Sequence, residues 1–503
     1  MSYARPWVRC VFGVSLALLV LADGWVMGAS CGPPPPAAPQ RRTGGESFPP
    51  LPLPATPLRR SERKRPPAPP ALISKVAYGK MAKDEATGKM YRDWTTDPGD
   101  VQTLLGWVNN NLKINYRAID SDFSQESFNP AEIPILYLTG HEGFEFTDEI
   151  RAKVARFVMD GGYVLGDACC GSAPFAESFR AEVQKIFPNR PFFRLEADDP
   201  IYSAYYKIGQ VTYQVEGKGT RKGAPELYGM NVGCRTAVVL TQYDLSCGWS
   251  GHTHGHGARV LPEDAVKLGA NLITYMLANY GLGRATASEK VYYQTDAAER
   301  DEFVIAQLMH EGDWDPHPSG VVNLLRYLDK NSTMDLLFKR ATIRATEADA
   351  FRYPVLYMTG HRPFTWTPEE RQALRRYFLE GGLLFANACC GRQSFDAAFR
   401  RELGGVLEGT GAGLEAVAPG HPLYNSLFTI EKVRYTRALL VTQPGLNAPV
   451  LEGVTLEGRL VVIYSKYGLG ESWEEVERPY ALAYEGDSAL KIGMNCVVYA
   501  LTH

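Results

Sequence analysis

Short apolar runs alternate with amphipathic stretches along the chain after residue 70. Ile135–Leu138 and Tyr163–Leu165 are apolar and of strand length, and the residues between them place apolar side chains at helical spacing. Thr147 stands where a helix N-cap is expected, and the pair Gly161-Gly162 marks the end of that helix. The pattern therefore predicts a strand, a helix and a second strand in succession.

The same alternation continues towards the C-terminus. An amphipathic helix is predicted through Phe175 and Phe179, and Thr367-Pro368-Glu369-Glu370 is a capping box that begins another helix. Further helices are predicted over Val101–Leu112, Ala265–Ala278, Val321–Leu328 and Ser488–Leu501. Alternating strands and helices predict an α/β fold, with a parallel sheet covered on both faces and a doubly wound, flavodoxin-like layout.

One block of sequence occurs twice, and matched residues are 220 positions apart. Cys169-Cys170-Gly171 matches Cys389-Cys390-Gly391. The same offset aligns Thr139-Gly140-His141 with Thr359-Gly360-His361, and Asp93-Trp94 with Asp313-Trp314. A period of this length indicates tandem globular domains rather than a solenoid of short repeats. We therefore predict a first αβα domain over residues 71–283 and a second over residues 284–503.

The first 70 residues differ in composition from the rest of the chain. Two arginines precede the apolar run Val11–Ala22, and small residues then lead to Cys31. This order is typical of an export signal, predicted here over residues 1–31. Residues 32–70 contain 14 prolines among 39 residues, which predicts a disordered, extended linker. Acylation of Cys31, cleavage without a lipid and an uncleaved anchor remain open, so the predicted location is the periplasm or a membrane attachment at the cell envelope.

The bulk composition is that of an ordinary globular protein. Apolar residues make up 45% of the chain, charged residues 22%, and the formal net charge is −3. No globular segment is strongly basic, so the charge gives no reason to expect a nucleic acid partner.

The repeated block resembles a known family. Its order is Leu-Tyr-x-Thr-Gly-His, a helix, Gly-Gly, a strand, Cys-Cys-Gly and Phe-x-x-x-Phe-Arg, and this is similar to the bacterial domain of unknown function 4159. The resemblance covers Asp93–Ala278 and the chain from Asp313 to the C-terminus. It implies a fold of the class I glutamine amidotransferase-like superfamily. It implies no settled activity, because a fold alone does not determine a function.

The amidotransferase-like resemblance implies a cysteine nucleophile at a turn between a strand and a helix, and Cys169 and Cys389 are the matching residues. A helix N-terminus lowers a thiol pKa, and backbone N–H groups there stabilise an oxyanion. Neither copy has the His-x-Glu dyad that such an enzyme carries late in the domain. His141 and His361 are therefore the candidate bases, and His141, Asp167 and Cys169 form the candidate catalytic set of the first domain.

A structural role is the alternative interpretation of both cysteine pairs, because cysteine is small and often buried. A disulfide within a pair is disfavoured, since neighbouring Cα atoms lie about 3.8 Å apart and a relaxed disulfide needs roughly 4.4 Å. Cys234 and Cys247 in the first copy and Cys496 in the second are the distant partners. Their unequal numbers argue against disulfides as the shared purpose of the pairs.

A histidine-rich loop distinguishes the first copy, and it either binds a metal such as Zn²⁺ or is simply solvated. The second copy has an acidic segment in the equivalent region and Asn387 in place of Asp167, so we expect the functional site in the first domain. The candidate metal ligands are His252, His254 and His256. The further binding candidates are Asp244, Trp249, His361 and Cys389.

Two functions of different classes remain open. The favoured one is an exported, non-catalytic module that binds an unknown small molecule, a glycan or an envelope protein in the crevice at the strand ends, or acts as a scaffold. The alternative is a hydrolase that uses Cys169 with His141, assisted by a metal. No enzyme class is assigned, and the sequence names no cofactor beyond zinc in the first domain.

Overall fold

A computed structural model describes residues 68–79, 81–83, 88, 90–124, 128–252, 256–285, 287, 303–333 and 340–503. The predicted export signal, Cys31 and almost all of the predicted linker lie outside the described residues, as does His254. Ala68–His503 forms one compact unit that contains both copies of the repeat. Among the described residues, no helix is both long enough and apolar enough to cross a membrane.

The elements of the first domain follow the predicted alternation of strands and helices. Its described strands are β1 (Ala71–Ala77), β2 (Met81–Lys83), β3 (Met90–Arg92), β4 (Arg117–Asp122), β5 (Ile135–Gly140), β6 (Tyr163–Ala168), β7 (Phe193–Arg194), β8 (Val211–Val215), β9 (Gly219–Gly223), β10 (Leu227–Val232), β11 (Arg235–Thr241) and β12 (Ala258–Val260). Its described α-helices are α1 (Asp100–Leu112), α2 (Asp148–Met159), α3 (Ala173–Ile186), α4 (Ser246–Ser250), α5 (Pro262–Ala278) and α6 (Tyr280–Ala285). Short 3-10 turns occur at Asp93–Thr95, Cys169–Gly171 and Pro200–Tyr202.

Seven of the strands described in this domain form one sheet, in the order β4-β1-β5-β6-β11-β10-β7. Neighbouring strands from β4 to β11 run parallel, as expected for strands joined by crossover helices. β10 pairs antiparallel with β11, because a hairpin joins the two strands, and β10 also pairs antiparallel with β7. The predicted parallel sheet is therefore mixed at one edge.

The second domain repeats this plan. Its described strands are β13 (Ala306–Leu308), β14 (Ala341–Ile343), β15 (Val355–Gly360), β16 (Leu383–Ala388), β17 (Glu415–Ala416), β18 (Glu452–Leu456) and β19 (Arg459–Ser465). Its described α-helices are α7 (Gly320–Asn331), α8 (Pro368–Leu379), α9 (Gln393–Val406), α10 (Arg437–Thr442) and α11 (Gly486–Thr502). The 3-10 turns are Ala348–Arg352, Cys389–Gly391, Pro422–Asn425 and Gly470–Glu474.

The sheet order of the second domain is β14-β13-β15-β16-β19-β18-β17, strand for strand that of the first. An ion pair between α2 and α3, with its glutamate buried, is repeated between α8 and α9. Arg151 Nε lies 2.8 Å from Glu182 Oε2, and Arg371 Nη2 lies 2.7 Å from Glu402 Oε2. The tandem duplication predicted from the 220-residue offset is therefore confirmed in the fold.

Helices cover both faces of each sheet, because alternate strand residues point to opposite faces. In the first domain, α1 and α5 bury side chains such as Leu104 and Leu272 in the core on one face. On the other face, α2 and α3 bury Phe157 and Phe179. The second domain has the same two cores. The doubly wound αβα architecture predicted from the sequence is confirmed.

The predicted helix starts are also present. The Thr147 side chain accepts a hydrogen bond from the backbone N–H of Ile150, and α2 begins directly after it. Thr367 and Glu370 form the reciprocal capping box at the start of α8. These local signals therefore set both helix boundaries.

The two domains contact each other through buried polar and aromatic groups. Arg392 donates to the Asp199 carboxylate at 2.9 Å and to the backbone oxygen of Asp198 at 2.6 Å. The rings of Tyr275 and Tyr480 stack with centroids 5.7 Å apart. This interface brings the turn between β10 and β11 of the first domain to the second domain.

Candidate functional site

Each cysteine pair lies at a sharp turn where a central strand gives way to a helix. β6 ends at Ala168, and the turn Cys169–Gly171 leads into α3. Cys170 has the left-handed backbone φ of 54°, and the equivalent Cys390 has a φ of 53°. A residue other than glycine pays of order 1–3 kcal/mol for this conformation, and strain of this kind clusters at functional sites. The strained position is therefore the second cysteine of each pair, whereas the sequence motif selects the first.

The two thiols of the first pair differ in exposure and in acidity. Cys169 is 2% exposed, and its pKa is raised, mainly by hydrogen bonding to Cys170. Cys170 is only partly buried, and hydrogen bonds from Cys169 and Cys247 lower its pKa, with a further contribution from His141. A thiolate is therefore favoured at Cys170 rather than at Cys169.

Asp244 fixes the turn from the neighbouring strand end. Its carboxylate accepts hydrogen bonds from the backbone N–H of Cys170 at 2.7 Å and of Cys247 at 3.0 Å. The side chain is fully buried, and burial raises its pKa. The Asp244 carboxylate thus binds the backbone N–H of Cys170, which would otherwise be available to a ligand at this turn.

Four potential ligand atoms converge at this turn. They lie within 4.8 Å of one another, and they belong to Cys169, Cys170, Asp244 and Cys247. The Sγ atoms of Cys169 and Cys170 are 3.9 Å apart. Three sulfur atoms and one carboxylate oxygen form a donor set suited to Zn²⁺ and other thiophilic ions.

The Asp97 carboxylate contacts two thiols of this cluster. Its Oδ2 lies 3.3 Å from the Cys247 thiol and 3.7 Å from the Cys169 thiol. Its Oδ1 lies 2.7 Å from Nδ1 of His252. An outer carboxylate that holds ligand groups in place is a common feature of metal sites.

The histidines of the first domain surround the cluster at different points. His256 Nε2 lies 3.9 Å from the Cys170 thiol, while His252 contacts Asp97. His141 is 31% exposed, and its Nδ1 lies 3.8 Å from Asp93. Burial lowers the pKa of His141, but its hydrogen bond to Cys170 and nearby negative charges outweigh burial, and the net shift is upward. The cysteine that interacts with His141 is therefore Cys170, whereas the sequence-based prediction paired His141 with Cys169.

Asp167 points away from that pair. Its carboxylate accepts hydrogen bonds from the Thr241 hydroxyl and from the backbone N–H groups of Leu245 and Ser246. Burial raises its pKa to about 7. The carboxylate that faces His141 is instead Asp93, which accepts the backbone N–H of His141 at 2.8 Å. The structure brings His141 and the cysteine turn together without Asp167.

Trp249 belongs to the core. It is 3% exposed, its Nε1 donates to the backbone oxygen of Ala265 at 2.9 Å, and its ring packs on Tyr137. Trp473 of the second domain donates to the backbone oxygen of Ala489 at 3.0 Å in the same way. The matched geometry indicates a packing role for both tryptophans.

The second domain builds a related cluster with a residue from the first. Cys234, in the turn between β10 and β11, places its Sγ 3.5 Å from that of Cys389. The ligand atoms of Cys234, His361, Cys389 and Cys390 all lie within 4.8 Å of one another. His361 is 4% exposed, with Nδ1 2.5 Å from Asp313 Oδ2. A hydrogen bond to Cys234 is the largest cause that raises the pKa of Cys390 to about 12.

A carboxylate also fixes the second turn, but from a different sequence position. Glu471 accepts the backbone N–H of Cys390 at 2.6 Å. Alignment of Tyr243 with Tyr467 places Gly468 opposite Asp244, and Glu471 opposite Cys247. A Cβ atom at Gly468 would lie only 1.5 Å from Glu471 Oε1, so the glutamate occupies the space of the missing aspartate.

Sequence reasoning missed Cys170, Cys234, Cys247 and Asp97 as site residues. Asp93 and Asp313 carried a usable signal, since they align between the copies.

A cavity of ≈ 670 Å³ lies at the edge of the second sheet, beside Thr410–Ala418 and Thr455–Glu457. Its lining includes none of the clustered cysteines.

Comparison with known proteins gives a family for both halves. The model of the family described as domain of unknown function (DUF4159) matches residues 73–277 and again residues 304–501. No curated protein matches the chain.

Proposed function

The chain belongs to that family in both halves, and we propose that its first domain is a non-catalytic module that binds a thiophilic metal ion. Cys169, Cys170 and Cys247 would supply thiolates, and Asp244 a carboxylate oxygen. Zn²⁺ fits this donor set, because it favours four ligands and takes sulfur and oxygen together. The single observation that carries the proposal is the convergence of these four atoms.

The spacing of the sulfur atoms supports the proposal. Tetrahedral zinc with Zn–S bonds of about 2.3 Å needs sulfur atoms about 3.8 Å apart. The Sγ atoms of Cys169 and Cys170 are 3.9 Å apart, although the two residues are neighbours in the chain. The left-handed backbone at Cys170 changes the direction of its side chain relative to an extended strand. The left-handed backbone at Cys170 therefore directs the thiols of Cys169 and Cys170 towards one point.

A hydrolase is the second candidate, and the strained Cys170 beside His141 favours it. Two features of the site count against it. The backbone N–H of Cys170, a natural oxyanion donor, is already bonded to the Asp244 carboxylate. The buried thiols of Cys169 and Cys247 also crowd the sulfur that would attack a substrate. Metal binding would use all three thiols and the Asp244 carboxylate, whereas acyl transfer would use only the Cys170 thiol and His141.

The proposed setting is the outside of the cytoplasmic membrane. The motivation is the export-signal pattern of residues 1–31 and the proline-rich linker that follows it. We also infer a distant relationship to class I amidotransferase-like domains, supported by the cysteine turn after a central strand. In this interpretation, the turn that carries the cysteine nucleophile in amidotransferase-like domains carries metal ligands in this chain.

Zinc analysis of matched variants tests the metal site. We expect Cys247→Ser to lower the zinc bound per chain by one ion, because a serine hydroxyl is a poor zinc ligand. Cys496→Ser is the control, since Cys496 is buried in α11 and belongs to neither cluster. Elemental analysis after dialysis, with circular dichroism to verify folding, gives the readout. An unchanged zinc content in Cys247→Ser would contradict the proposal.

Alkylation separates the two candidates. In metal-free protein, iodoacetamide should modify Cys170, which is more exposed than Cys169. Zinc should protect Cys170 if it is a ligand. Equal labelling with and without zinc would favour a free nucleophile, and peptide mass spectrometry identifies the modified residue.

A further inference from the structure

The turn between β10 and β11 carries a cysteine of the first domain to the cluster of the second. Cys234 Sγ lies 3.5 Å from Cys389 Sγ, and 155 residues separate the two in the chain. The same thiol lies 3.4 Å from the backbone oxygen of Pro316 in the second domain. The tip of a first-domain hairpin thus completes a group of side chains in its neighbour.

The two ring nitrogens of His361 have different surroundings. Its Nδ1 lies 2.5 Å from the Asp313 carboxylate. Among the described residues, its buried Nε2 has no hydrogen-bond partner. A histidine that binds a metal commonly donates its other N–H to a carboxylate in this way. The arrangement therefore points to a ligand at Nε2.

The distances agree with a tetrahedral ion. The Sγ atoms of Cys389 and Cys390 are 3.9 Å apart, and those of Cys234 and Cys389 are 3.5 Å apart. Both values are close to the roughly 3.8 Å that tetrahedral zinc requires between its sulfur ligands. One imidazole and three thiols give the Cys₃His set that is frequent in structural zinc sites.

We propose that Cys234, Cys389, Cys390 and His361 form a second metal site, and that an ion bound there joins the two domains. Zn²⁺ or another tetrahedral, thiophilic divalent ion is the ligand class. Each thiol that carries a proton releases it to solvent when the ion binds. This site shares no ligand with the first-domain site and stands independently of it.

The test measures zinc on the full chain and on three single variants. We expect Cys234→Ser to lose one zinc ion per chain and to keep the ion that Cys247→Ser loses. Cys496→Ser should bind as much zinc as the wild type. If Cys234→Ser keeps the wild-type content while Cys247→Ser loses an ion, the interdomain site is refuted and the first-domain site survives. The reverse pattern refutes only the first-domain site.

Cobalt spectra give a second readout, on the wild-type protein and on the variant that keeps the interdomain ligands. Co²⁺ added to metal-free wild-type protein should produce visible bands of tetrahedral cobalt and near-ultraviolet sulfur charge-transfer bands. Cys247→Ser, which keeps the interdomain ligands, should retain charge transfer at the strength of three thiolates. Octahedral spectra in that variant would overturn the proposal.

A disulfide between Cys234 and Cys389 is the competing outcome. Peptide mapping without reductant would detect the linked peptides directly, and their presence in protein from the cell would overturn the metal site. If the site holds an ion, zinc should protect Cys234 and Cys390 from alkylation. Removal of zinc by a chelator should expose both and should increase the rate of proteolysis at the domain boundary.

Discussion

Exchange of two residues in the second domain tests whether the two turns use the same carboxylate position. The double variant Gly468→Asp/Glu471→Cys gives the second domain the residues that Asp244 and Cys247 supply in the first. Glu471→Cys alone leaves the backbone N–H of Cys390 without its 2.6 Å partner. A buried N–H that loses its hydrogen-bond partner costs about 1–3 kcal/mol.

Gly468→Asp alone should be more damaging. The new Cβ would lie 1.5 Å from Glu471 Oε1, so the glutamate must move away from Cys390 and two carboxylates would share a buried space. We expect a loss of about 3 kcal/mol or more, from the lost hydrogen bond and from the repulsion. The backbone itself is no obstacle, because Gly468 does not have a left-handed φ.

The double variant should recover most of the lost stability. The aspartate would take over the N–H of Cys390, and the cysteine would vacate the space of the glutamate. The two single effects add to roughly 5 kcal/mol if they are independent, and independent sites are additive within about 0.5 kcal/mol. We expect instead a favourable coupling of about 3 kcal/mol, measured as the free energy of unfolding in urea with chelator and reductant present.

Gly404→Asp is the matched control for the added carboxylate. Gly404 lies on the exposed face of α9, and a Cβ atom there meets nothing within 4 Å. It should change the free energy of unfolding by about 1 kcal/mol or less. Additive effects in the double variant would refute the inference that Asp244 and Glu471 place one carboxylate at the same point.

Two further predictions concern the ion pairs of the fold. Arg392→Met should lower the free energy of unfolding, measured in urea, by about 3 kcal/mol or more, because it leaves the interdomain carboxylate of Asp199 buried and unpaired. Arg434→Met is the control: it removes an exposed ion pair and should have little effect. Burial opposes ionisation of Glu402, but its pairing with Arg371 outweighs burial, and the pKa of Glu402 lies below the usual 4.5. The contribution of ionised Glu402 to the free energy of unfolding is therefore fully present above pH 4.5 and is lost as the pH falls through the folded pKa. Glu402→Gln should lower the free energy of unfolding at pH 7, and the difference from the wild type should vanish in acid. A constant difference at every pH would contradict this.

Local signals in the sequence predict much of the fold. The helix α2 begins at Thr147 and α8 at Thr367, because each threonine satisfies a free N–H of the first turn. The antiparallel pairing of β10 with β11 and β7 was not predicted. Strand direction depends on which distant segments meet, and apolar periodicity does not carry that information.

The candidate site was predictable only in part. The cysteine turns and His141 were recognisable, because a strand, a short turn and a helix bring them to one edge of the sheet. Cys247 belongs to the first cluster and Cys234 to the second, although each lies far along the chain from the cysteine pair that it contacts. No rule of sequence spacing links either residue to its pair. The left-handed φ of Cys170 was hidden because the sequence places a glycine directly after it, where such a conformation is ordinarily expected.

The two clusters differ in what they need from the rest of the chain. The first takes its sulfur ligands Cys169, Cys170 and Cys247 from its own domain. The second has Glu471 where the first has Cys247, and it takes its third thiol from Cys234. Because the turn that carries Cys234 belongs to the first domain, the second cluster is complete only when the domains are docked. The proposed first site is therefore contained within one domain, whereas the proposed second site lies at the interface and would hold the two domains together.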